Sequence, residues 1–104
     1  MSEQMPFADF LASATADSSS PPDLSKALVA LWHDRRGDWN TAHDLAQAAG
    51  GNDGAWVHAY LHRKEGDESN ARYWYRLANR PEATDSLNDE WQKIVRSLLD
   101  KNKV

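Results

Sequence analysis

One segment of this chain is written twice. Residues 31–49, LWHDRRGDWNTAHDLAQAA, and residues 60–78, YLHRKEGDESNARYWYRLA, align at an offset of 29 residues. His33 falls on His62, Gly37-Asp38 on Gly66-Asp67, Ala42 on Ala71 and Ala49 on Ala78. Just upstream, Leu28 falls on Val57 and Ala30 on Ala59. In each copy, apolar residues at helical spacing come before and after the Gly-Asp pair. Glycine closes a helix in the left-handed conformation, and aspartate caps the helix that follows. Each copy therefore predicts a helix–turn–helix hairpin. A hairpin cannot bury both of its faces alone, so a similar neighbour must cover it.

The remaining elements are placed around that pair. Residues 23–36 carry an apolar stripe at Leu24, Ala27, Leu28, Leu31 and Trp32, with Asp23 as the expected cap. Residues 39–49 form the second helix, and GGNDG at 50–54 reads as a loop. Helices are expected over 55–65 and 68–78, followed by a loop containing Pro81. Ser86-Leu87-Asn88-Asp89 opens a last helix in a capping-box pattern, with Leu87, Trp91, Ile94, Val95, Leu98 and Leu99 on its apolar face. Near the N-terminus, Phe7, Phe10 and Leu11 suit one or two helical turns docked on the body, and DSSSPP at 17–22 reads as a linker. No segment alternates with period two. The expectation is an all-α chain: an N-terminal segment and linker at 1–22, then one domain at 23–104 of two stacked hairpins and a C-terminal capping helix.

The hairpins resemble tetratricopeptide repeats and their shorter, solenoid-forming relatives. The resemblance rests on Ala30 and Ala59 late in the first helix, the Gly-Asp turn, and Ala42 and Ala71 early in the second helix. Ala46 or Tyr75, then a closing Ala49 or Ala78, complete it. It implies a right-handed superhelix or a compact α-bundle. It also implies a protein-binding scaffold that holds a peptide segment on the surface made by the first helix of each hairpin.

On that geometry the inner surface is lined by Ala27, Leu31, Asp34 and Arg35, then by Trp56, Tyr60, Arg63 and Lys64. Arg35, Trp56, Tyr60, Arg63 and Lys64 are the expected partner-binding residues. An aromatic shelf beside cations suits a peptide carrying a carboxylate: the rings bury apolar surface, and arginine forks onto the acid. The rival expectation is a small metal-binding protein or hydrolytic enzyme centred on His33, His58 and His62. His58 and His62 stand four apart on one helix, and His33 is the repeat equivalent of His62. His43 is a less certain fourth member. Tyr73, Trp74 and Tyr75 sweep too wide an arc to share one core, which leaves Tyr73 as the outlier. Arg72, Arg76 and Arg80 read as a solvated face.

Charge and composition exclude several classes. The net charge is −4, and residues 1–22 hold three acids without a Lys or Arg, leaving −1 on the rest. A nearly neutral body has little to offer nucleic acid or an anionic membrane. There is no cysteine, hence no disulfide, thiolate nucleophile or zinc-thiolate site. That composition suits a reducing cytoplasm, the expected location. No run approaches a membrane span, and no signal peptide is evident. Nucleophile-elbow, phosphate-loop, dinucleotide and calcium-loop motifs are absent. The leading expectation is therefore a non-catalytic interaction module without a cofactor, monomeric or homodimeric, binding a protein or peptide.

Overall fold

The structure, a computed structural model, describes residues 5–101. The ends of the two segments expected at 1–22 and 23–104 thus lie outside the described residues. Six helices follow one another: α1 Phe7–Ala16, α2 Lys26–Arg35, α3 Trp39–Ala49, α4 Gly51–Glu65, α5 Glu68–Leu77 and α6 Leu87–Lys101. There is no strand among the described residues. The two Gly-Asp turns are built alike. Gly37 and Gly66 take φ of 86° and 90°. The amide of Asp38 donates to the carbonyl of His33, and the amide of Asp67 donates to that of His62, at 3.0 and 2.9 Å. These six-to-one bonds satisfy helix-end carbonyls, and each aspartate then caps the next helix. Asp38 Oδ1 accepts from the Thr41 amide at 3.1 Å, and Asp67 Oδ1 from the Asn70 amide at 3.2 Å.

The hairpins α2–α3 and α4–α5 lie side by side, with α4 against both α2 and α3. Ala42 and Ala71 are both buried in the seams of their hairpins, as the repeat requires. Helix α6 covers α2 and α4, and α1 packs on α2 and α6. Nine consecutive residues of α4, Gly54 to His62, are buried. A helix wrapped on all sides must partner each of its polar groups inside the fold. The largest fully buried side chains include Trp32, Trp91, Phe10, Leu28, Leu31, Leu61 and Ile94. Both core indoles find acceptors: Trp91 Nε1 donates to the Leu31 carbonyl and Trp32 Nε1 to Ser13 Oγ, each at 3.1 Å. Buried indoles need such partners, and these two bonds stitch α6 and α1 to α2.

Three local expectations are corrected. GGNDG is mostly helix: α4 starts at Gly51, directly after the corner at Gly50. Positive φ at Gly50 and Gly51 lets the chain reverse within two residues. Asp53 then sits in the first turn, where the helix N-terminus favours an acid. The α2 cap is Ser25, whose Oγ accepts from the Leu28 amide at 3.2 Å; Asp23 instead takes φ of 65° ahead of the helix. The N-terminal segment forms a full ten-residue helix rather than one or two turns.

Two buried carboxylates lock α4 to its neighbours. Asp34 of α2 accepts from the Tyr60 hydroxyl at 3.0 Å and from Lys64 Nζ at 2.9 Å. Glu90 of α6 accepts from Arg63 Nη1 at 2.8 Å and from the Tyr75 hydroxyl. Burial raises the pKa of both tyrosines well above the ordinary phenol range, and the neighbouring carboxylates push the same way. Replacing Glu90 with alanine removes the Tyr75 acceptor and the carboxylate partner of Arg63, which keeps only the Asp85 carbonyl. Glu90→Ala is expected to cost about 3–5 kcal/mol in urea unfolding, the range for breaking a buried ion pair from one side. Glu90→Gln, which keeps one carbonyl oxygen for one of the two donors, is expected to cost less.

Candidate metal centre

Helices α3 and α5 flank α4, and their backbones do not approach each other closely among the described residues. The furrow between them, floored by α4, is filled by rings. His43 comes from α3, His58 and His62 from successive turns of α4. A ring nitrogen of each lies within 4.8 Å of the other two. His43 Nε2 and His58 Nε2 are 2.8 Å apart, a hydrogen bond in which one ring donates and the other accepts. The imidazoles of His58 and His62 stack at 5.1 Å between centroids. Trp74 of α5 stacks on His58 at 3.8 Å, and Trp39 of α3 stacks on His43 at 4.9 Å. His58 and His62 are buried, while the His43 side chain is 24% exposed.

One ring also carries an orienting acid. Glu65 Oε2 lies 2.7 Å from His62 Nδ1, one turn further along α4. A carboxylate on Nδ1 fixes the orientation of the ring, an arrangement usual for ligating histidines. The Asn70 side-chain amide of α5 sits 3.4 Å from Nε2. The pKa of His58 is pushed down to about 4, first by burial and then by the adjacent His43 and His62. A neutral ring is the form that can donate a lone pair to a metal.

These residues meet the chemical requirements of a metal site. Three imidazoles form a donor set suited to zinc, copper or nickel and ill suited to magnesium or calcium, which prefer oxygen. Bonds of 2.0–2.1 Å in a tetrahedron place two nitrogens ~3.3 Å apart, so the 2.8 Å His43–His58 pair must open by about half an ångström. His43 is the partly exposed ring of that pair. A second group, His62, Glu65 and Asp67, also falls within 4.8 Å. Its acids already have work in the fold: Glu65 holds His62, and Asp67 caps α5.

This cluster overturns the leading functional expectation of a purely non-catalytic peptide scaffold. It favours the histidine alternative, with one change of membership. His33 lies outside the cluster, its ring edge-on to Trp32 at 5.0 Å. The repeat itself accounts for this. At the offset of 29, Val29 stands where His58 does, and Arg36 stands where Glu65 does. Helix α2 therefore has His33 without counterparts of His58 and Glu65. His43 takes the third place because it stands seven residues before Gly50, while His58 stands eight after it. A sharp corner at Gly50 brings two such positions side by side. Reading GGNDG as a loop concealed that symmetry.

The five residues of the expected aromatic shelf are engaged within the chain. Arg35 lies over the Trp91 ring at 4.7 Å and donates to Asn88 Oδ1 at 2.9 Å. Trp56 is 9% exposed, under the Arg80 guanidinium at 3.7 Å. Tyr60 and Lys64 meet on Asp34, and Arg63 binds Glu90 and the Asp85 carbonyl. A carboxylate does meet the shelf's cations, but the acids come from α2 and α6. Tyr73 is the exposed member of its aromatic triplet, as its spacing predicts, with Leu77 exposed beside it. No helix of the described residues is long and apolar enough to cross a membrane.

No protein-family model, curated protein or solved structure matches the chain.

The lowered His58 pKa makes the metal-free fold sensitive to acid. Between the ordinary value near 6.5 and about 4, the unfolded chain takes up a proton that folded His58 refuses. This contribution to stability is complete above about pH 6.5 and is lost as the pH falls towards 4. Urea midpoints in chelator are expected to drop between pH 7.5 and pH 5, and His58→Gln to show a shallower drop.

Proposed function

We propose that this chain binds a divalent transition-metal ion, of the zinc, copper or nickel class, through His43, His58 and His62, with Glu65 orienting His62. The observation that carries the proposal is the convergence of three imidazoles within 4.8 Å from two separate helices. The buried setting, the carboxylate on His62 Nδ1 and the depressed His58 pKa support it. Any one of these is common in a helical core. Together they supply three ligands, an acid that orients one of them, and a ring, His58, that stays neutral well below pH 6.5. The frame that carries them is proposed to be a divergent tetratricopeptide-like pair of hairpins, supported by the matching turns 29 residues apart.

Metal would act on this fold as a clamp. The ligands join α3 to α4 across the Gly50 corner, so an ion binds the folded state and not the open chain. At a free-ion concentration 100 times Kd, the stabilisation is about 2.7 kcal/mol. Calorimetric titration with zinc, and with copper or nickel in parallel, is expected to give one ion per chain and a raised melting temperature. His43→Ala, His58→Ala and His62→Ala are each expected to lower affinity by about 100-fold or more, the loss of one of three first ligands. Glu65→Gln is expected to lower it by about 10–100-fold. His33→Ala is expected to leave it unchanged. Weak, non-stoichiometric uptake that persists in the triple variant would end the metal proposal.

A further inference from the structure

The furrow between α3 and α5 does not end at the histidines. Towards the N-terminus of α4 it continues as a cleft of about 320 Å³, walled by Ala46 of α3, Gly54 and Ala55 of α4, and Trp74 and Leu77 of α5. His58 is the last α4 residue to line it, so the cleft and the imidazole cluster share a wall. Its openness has a cause. A Cβ on Gly54 would lie 2.7 Å from the Ala46 carbonyl, so α3 and α4 meet backbone to backbone there and raise no bulk into the groove. On the other side, the backbone of α5 lies close to α4 and to no other described helix, and Leu77 is 48% exposed at the rim. The furrow's opposite end is shut by Trp39, whose ring stands edge-on to His62 at 6.0 Å and whose Nε1 donates to the Leu61 carbonyl at 3.0 Å.

Three protein ligands leave a tetrahedral ion one position short, the hallmark of sites that exchange ligands rather than only hold a fold together. Three neutral imidazoles also leave the charge of a dication uncompensated, so the fourth ligand is best an anion. No Asp, Glu, Lys or Arg lines the cleft, so nothing on its walls repels an incoming acid or competes with the metal for it. The volume suits a small molecule, near the lower end of ordinary ligand pockets. We propose that a small organic monoanion of the carboxylate class enters through this cleft and completes the coordination of a metal held by His43, His58 and His62. The inference rests on the metal-binding proposal and adds to it an entry route and a class of ligand.

The test uses the full chain loaded with cobalt(II), whose visible d–d bands report the number and kind of ligands, and the probes are azide and benzoate. Both anions are expected to shift the bands saturably. Gln47→Trp and Leu77→Trp place bulk at exposed positions on opposite banks of the cleft. Each is expected to weaken benzoate binding by more than 10-fold, while cobalt uptake and helical circular dichroism stay as in the parent. Bands that ignore both anions at saturation overturn the inference, and so does a benzoate affinity that neither tryptophan changes. In both of those cases cobalt uptake persists and the metal site itself stands. Failure to take up cobalt at all overturns the site and the entry route together.

Discussion

Helix α4 runs through the middle of the fold with α2, α3, α5 and α6 around it, and for two and a half turns it has no residue facing water. Ordinarily such a helix is apolar all round. This one carries His58, Tyr60 and His62 within the buried stretch and Arg63 at its edge. Each of these groups must be matched by a partner on another element or by a near neighbour, because an unmatched polar group in the interior costs on the order of 1–3 kcal/mol. The fold meets that demand on two opposite sides. On the α2–α6 side the partners are acids, Asp34 and Glu90. On the α3–α5 side they are other rings, His43 and Trp74, with Glu65 at the end.

The two sides answer the same demand with different chemistry, and this separates structure from function in the molecule. Asp34 and Glu90 each meet two donors, so their hydrogen-bonding capacity is well used and the network is closed. On the other side, two of the three imidazoles share one hydrogen bond between nitrogens, and the remaining ring is fixed by an acid. Three ring nitrogens thus stand within 4.8 Å of one another in a partly enclosed space, the kind of donor set that a transition-metal ion would satisfy. Asp34 and Glu90, by contrast, present no comparable set of free donors.

The repeat supplied the frame and its divergence supplied the site. Both hairpins keep the same Gly-Asp turn, down to the six-to-one hydrogen bond and the capping carboxylate. Both keep the small residue, Ala42 or Ala71, that lets paired helices approach. What differs are the positions that carry the cluster: the second copy has His58 and Glu65 where the first has Val29 and Arg36, and the first has His43 where the second has Arg72. A site built at the junction of two hairpins can arise by changing such positions without disturbing the turns that hold the hairpins together.

The order of residues alone determined the helices, the paired turns and the apolar face of α6, because these depend on local rules: spacing along a helix, left-handed glycine and capping oxygen. It also marked His58 and His62 as neighbours, since positions four apart on a helix always are. It did not place His43, nor remove His33, because those assignments depend on the angle at the Gly50 corner and on which hairpin faces which. Likewise, the pattern at Tyr60, Arg63 and Lys64 did not reveal that these side chains meet Asp34 and Glu90. Side chains distant in sequence meet only when the packing of α2, α4 and α6 sets them face to face. Periodicity decides which face of a helix is covered, but only tertiary packing decides what covers it.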